Sequence, residues 1–173
     1  MTNKTTWVLG ILVTAAVAAA PIADAATART TLRLGSMRVA KIDGDRVVPL
    51  RSERALARVL EEGLNASDDP RVYGTIAHAT IESSGGRYFL VGRGRLAGGG
   101  CLRPSVELTP GPDAIVEPAA AGWRFIRVEG CASEDCGDCL TTRDGEGHVI
   151  DCACIPAGHC QKVVVYIPIP IYP

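Results

Sequence analysis

Apolar positions fall along this chain in several rhythms, and each rhythm predicts a different kind of element. Val8 to Ala20 is a nearly unbroken apolar run, softened only by Gly10 and Thr14. Thr31 to Leu34 and Met37 to Ala40 read as extended. Ile42 to Val48 reads as two short strands about an Asp43-Gly44 turn, because both of those residue types tolerate positive φ. Then the period changes. Leu56, Val59, Leu60 and Leu64 recur at helical spacing behind Ser52 as N-cap and Glu53 in the first turn, so a core-packing helix is expected from Ser52 to about Leu64, stopped near Gly63. Ala55 stands where a capping box wants an acid or amide, which leaves that box half formed.

Asp68-Asp69-Pro70 breaks the chain, and Val72 to Ile81 is rich in β-branched and aromatic residues. Ser83 to Gly86 can turn this strand and Arg87 to Val91 can return antiparallel. From Gly92 to Gly122 the composition shifts to Gly, Pro and Ala, with Pro104, Pro110, Pro112 and Pro118 as interruptions, so a loop-rich connector holding one or two short strands is expected. Trp123 to Val128 resumes as a strand. In the tail, Val163 to Pro173, Pro168 and Pro170 lie two apart and remove N–H donors from the same side, which suits a final edge strand; an apolar polyproline-like docking tail is the other reading. The fold class is therefore α+β and mostly β: antiparallel strands and hairpins, one packed helix at about 52–64, and a C-terminal cysteine-rich hairpin.

Composition adds a compartment. Lys4, the apolar run and Ala23-Asp24-Ala25 form the charged, apolar and small-x-small parts of a secretory signal, and thirteen apolar residues are too few for the roughly 20 that span a bilayer. Residues 1–25 are thus expected to be cleaved, giving a secreted or periplasmic chain from Ala26 with no transmembrane segment. A small mostly-β domain is expected over 26–128, followed by a cysteine-rich hairpin segment and edge strand over 129–173. The formal charge of −1 gives no reason to expect a nucleic-acid partner, yet it hides an asymmetry of +5 over 26–103 and −6 over 104–173. Either the halves attract one another, or the arginine-rich half meets an envelope polyanion or a protein partner.

Six of the seven cysteines crowd into thirty residues: Cys131, Cys136, Cys139, Cys152, Cys154 and Cys160. A segment that short buries little apolar surface of its own, so cross-links or a metal must fix it, and export favours disulfides. Seven is odd, and Cys101, thirty residues from the cluster and beside Gly98 to Gly100, is the candidate for the leftover sulfur and for an intermolecular disulfide; the alternative is that it reaches into the cluster and displaces another cysteine. If Asp144 to Gly147 forms a four-residue hairpin loop, Arg143 faces His148, Thr141 faces Ile150 and Cys139 faces Cys152, with Cys154 on the same face. The alternative is zinc held by Cys136, Cys139, Cys152 and Cys154, with His159 or His148 as a substitute ligand. The order of the six cysteines, with a hairpin between third and fourth and a C-x-C at Cys152 and Cys154, resembles epidermal-growth-factor-like modules. That resemblance implies pairs Cys131–Cys139, Cys136–Cys152 and Cys154–Cys160, although the spacings 136–139 and 154–160 are short for the family.

Catalytic signatures give little. Gly92-x-Gly94-x-x-Ala97 follows a strand, but Gly98 to Gly100 and Pro104 cannot supply the helix N-terminus that a dinucleotide needs. Cys136-x-x-Cys139 is followed by strand-forming residues rather than the helix that activates a redox pair. The three histidines, His78, His148 and His159, belong to no hydrolase or metalloprotease motif. The expected function is an exported, disulfide-stabilised, non-catalytic binding or structural module without a cofactor; an extracytoplasmic zinc protein is the alternative.

Overall fold

Twelve residues, Gly99–Pro110, form the strand on which the others are assembled, in the middle of the stretch whose glycines and prolines had suggested a connector. The computed structural model describes residue 34 and residues 37–44, 46–112, 115–119 and 125–169. The signal-like residues 1–25 and Pro170 lie outside them. In chain order the strands are β1 (Ala40–Asp43), β2 (Arg46–Pro49), β3 (Gly74–Ser84), β4 (Arg87–Leu96), β5 (Gly99–Pro110), β6 (Ile115–Pro118), β7 (Phe125–Ser133), β8 (Asp138–Arg143), β9 (Val149–Ile155) and β10 (Gln161–Pro168). One helix, α1 (Glu53–Asn65), lies between β2 and β3, and Pro70–Val72 adds a 3₁₀ turn. The architecture is mostly antiparallel sheet with one helix, as the sequence pattern predicts.

Eight strands make the main sheet and β8–β9 a separate hairpin. β4 pairs with β5 along most of its length, β7 pairs with Cys101 to Val106 of β5, and β6 with Leu108 to Pro110. Beyond these, β3 flanks β4, β10 flanks β7, and β1 and β2 extend from β6. The connector is overturned because β5 runs through most of it; Gly98 turns the chain from β4 to β5, and other glycines serve close packing. A Cβ on Gly92 would sit 2.7 Å from Leu60 Cδ2 of α1, so that glycine lets the helix settle on β4. Gly85 and Gly86, both at positive φ, make the two-residue turn from β3 to β4.

The helix begins as expected. Ser52 Oγ accepts from the Ala55 N–H, and Leu56, Val59, Leu60 and Leu64 are buried. Gly63, however, lies inside α1 and does not stop it. Its missing Cβ leaves room for Ile167 of β10, whose Cδ1 would approach such an atom to 3.0 Å. Alternation then gives the sheet two unlike faces. Leu102, Val106 and Leu108 of β5 join Ile126 and Val128 of β7 and the α1 leucines in one core. The intervening positions, Cys101, Arg103, Ser105 and Glu107 of β5 with Arg127, Glu129 and Cys131 of β7, belong to the opposite face, over which the hairpin is fastened.

Among the described residues the basic and acidic halves meet in three ion pairs, Arg38–Glu117, Arg87–Glu107 and Arg93–Asp138. Every partner is at least a third exposed, and each pair contributes little to stability. Among the described residues no helix is long and apolar enough to cross a membrane.

Candidate functional site

The hairpin forms, but in a register two residues away from the simple loop. Asp144 Oδ1 accepts from the Glu146 and His148 N–H groups at 2.9 and 2.8 Å, and Asp144 N–H donates to His148 O at 3.0 Å, so the loop gains a residue. Ile150 then bulges out between the pairs Thr142–Asp151 and Arg143–Val149, adding a second. Cys139 therefore faces Cys154, and Thr141 faces Cys152. One slip would have turned every side chain over; two restore the faces, so Cys139, Cys152 and Cys154 still share one. Partial burial pushes the Asp144 pKa up, but the backbone donors of His148 and Glu146 outweigh it and hold the carboxyl below its ordinary value.

Three disulfides use six sulfurs. Cys101–Cys139 joins β5 to β8, Cys131–Cys152 joins β7 to β9, and Cys136–Cys154 closes the hairpin's own base, with Cα separations of 5.7, 5.7 and 5.5 Å. Those separations suit the bond. Cys101 is thus not the leftover sulfur and is not free to reach another chain, because alternation along β5 sets it on the face that receives β8. The unpaired cysteine is Cys160, just before β10. None of the pairs that the growth-factor-like order implies is present, because that order leaves Cys101 out.

Around these bonds the sulfurs are dense. Cys101, Cys131, Cys136 and Cys139 are fully buried, together with Val149. Cys160 Sγ lies 3.5 Å from Cys139 Sγ, and Cys101 Sγ lies 2.7 Å from Cys136 Sγ. The sulfurs of Cys101, Cys136, Cys139 and Cys160 all fall within 4.8 Å of one another. Of the four cysteines expected to ligate zinc, only Cys136 and Cys139 belong to that group, and His159 is exposed outside it. Burial, then the nearby Asp151 carboxylate, pushes the Cys160 thiol above its ordinary pKa.

Beside the knot, the hairpin turn roofs a pocket of about 180 Å³ walled by Phe89, Glu107, Arg127, Glu129, Arg143 and His148. Glu129 is its anchor: Oε2 accepts from the Val149 N–H at 2.7 Å, while Arg127 Nη2 and His148 Nδ1 approach Oε1 to 2.5 and 3.3 Å. Arg143 lies 4.2 Å over the Phe89 ring and donates to Gly147 O at 2.7 Å. Burial draws the Arg143 pKa down, against Glu82 and Glu129, which raise it. Arg127 Nε, Arg143 Nη2 and Glu129 Oε1 are buried without a hydrogen-bond partner. No sequence motif marks this pocket, since its residues come from four strands and one turn. Alternation along β5 and β7 was the one signal available. The chain matches no protein-family model, no curated protein and no solved structure.

Proposed function

We propose that the chain is an exported, disulfide-stabilised, non-catalytic binding module, in which the cysteine-rich hairpin is a fastened cover over the polar face of the sheet. The observation that carries this reading is the pair of inter-element bonds, Cys101–Cys139 and Cys131–Cys152, which fix the cover beside the pocket. Such bonds persist in an oxidising compartment, in keeping with the signal-like residues 1–25. A binding role suits the pocket because Arg127 Nε, Arg143 Nη2 and Glu129 Oε1 have no hydrogen-bond partner there, although Arg127 and His148 lie within ion-pair distance of that oxygen. The test is the intact mass of protein recovered from the culture medium or periplasm, with and without reduction. A chain beginning at Ala26 with the mass deficit of three disulfides supports the reading. Retention of Met1 to Ala25, or seven free thiols, overturns it.

A second reading is favoured by one observation, the convergence of Cys101, Cys136, Cys139 and Cys160 within 4.8 Å. Four thiolates around zinc at about 2.3 Å stand a little under 4 Å apart, so the reduced chain could gather a tetrahedral site there. One zinc per chain together with alkylatable Cys101, Cys136, Cys139 and Cys160 after chelation would establish it over the disulfide form.

A further inference from the structure

Contact and covalent bond alternate along five of the sulfurs. Cys160 touches Cys139, which is bonded to Cys101; Cys101 touches Cys136, which is bonded to Cys154. A thiolate attacks a disulfide sulfur directly, in line with the S–S bond, and expels the other sulfur, so a thiol already in contact with a disulfide needs to lose its proton and come into line with that bond. The first sulfur released then lies against a second disulfide.

We infer that Cys160 is the entry thiol of an internal disulfide-exchange relay whose exit is Cys154. In the first step the Cys160 thiol gives its proton to solvent and the thiolate bonds to Cys139 Sγ. The Cys101–Cys139 bond breaks, and its electron pair leaves on Cys101. In the second step the Cys101 thiolate bonds to Cys136 Sγ, the Cys136–Cys154 bond breaks, and Cys154 takes the pair and then a proton from solvent. Two bonds form and two break, so neither oxidant nor reductant is consumed. The product carries Cys139–Cys160 and Cys101–Cys136, and Cys131–Cys152 is untouched. Cys160 also lies within 4.8 Å of Cys131 and Cys152, but attack there frees a sulfur that belongs to no second group of this kind.

The exchange changes what the knot holds. Before it, β9 is tied twice, through Cys152 and Cys154, and the residue before β10 is untied. Afterwards β9 is tied once and Cys160 is bonded to β8. The relay therefore moves a staple from the hairpin's base to the strand at the sheet's edge.

Two variants of six cysteines separate this from a fixed pairing. Cys160→Ser removes the entry thiol and should yield the three bonds of the present structure with no free sulfhydryl. Cys154→Ser removes the exit, and the relay then predicts Cys139–Cys160, Cys101–Cys136 and Cys131–Cys152, again with no free sulfhydryl. Retention of Cys101–Cys139 in Cys154→Ser, whether Cys136 and Cys160 stay free or bond to each other, overturns the relay. Should that variant fail to fold, the wild-type chain decides. Unreduced protein is held at mildly alkaline pH, quenched with acid, denatured, labelled with N-ethylmaleimide and mapped by mass spectrometry. Label on both Cys160 and Cys154 is expected. Label on Cys160 alone, or on Cys131 or Cys152, overturns the proposal.

Discussion

Gly147 shows how much one residue decides at the edge of the pocket. Its φ is +88°, and a Cβ there would overlap the Phe89 ring on which Arg143 rests. Gly147→Ala must therefore either strain the backbone or displace Phe89, and a loss of about 1–3 kcal/mol is expected by denaturant titration. Unchanged stability would show that the turn can move away from the ring. Cys160 makes a second residue-level prediction. Because burial and Asp151 raise its pKa, its alkylation in the native protein should reach half its maximum rate above the roughly 8.5 of an ordinary thiol. A midpoint at or below that value would contradict the burial seen here. At the residue scale the sequence left a choice open: distance from the cluster favoured Cys101 as the odd sulfur, and the structure takes the alternative, in which Cys101 enters the cluster and displaces Cys160. Which cysteine is unpaired depends on the face each strand position presents once β5 has been recognised as a strand.

Elements whose signal is local were legible. The α1 leucines carry helical period and cap within thirteen residues, and the Gly85-Gly86 turn announces its hairpin. β5 was not legible, because its glycines and prolines weaken local propensity while its neighbours β4, β6 and β7 supply the pairing. Gly63 misled in the same way, since its role depends on Ile167, which is remote in sequence. β10 is the element for which sequence and position agree. It pairs with β7 and ends the strand order, with Pro168 opposite Phe125. Proline has no N–H to offer, so Pro168→Thr returns a donor to an exposed edge and should promote self-association without unfolding the sheet. Sedimentation of the variant as an unchanged monomer would refute the edge argument.

For the whole molecule, two faces of one sheet carry two kinds of stabilisation. One face buries α1 in an apolar core; the other holds the hairpin with cross-links spanning 38 and 21 residues, and a third, spanning 18, closes the hairpin on itself. In the chain-entropy model loops of this size contribute about 3–4 kcal/mol each. Reduction should therefore raise hydrogen exchange in β8 and β9 well before α1, and simultaneous loss of protection in both would show that the two faces are one cooperative unit. The pocket should open with the hairpin, since His148 and the Arg143–Phe89 contact reach it only from that turn.

The bond between β5 and β8 also sets a timetable. On the proposed export, a chain threaded across a membrane from its N-terminus delivers Cys101 first, then Cys131 and Cys136, and only afterwards Cys139, its partner. Two other cysteines arrive before the right one, and a bond from Cys101 to either is absent from the structure. If bonds form in order of arrival, maturation requires reshuffling, and acid-trapped early species should carry Cys101 bonded to Cys131 or Cys136. Finding Cys101–Cys139 as the first bond would mean that β5 waits, folded, for the hairpin to emerge.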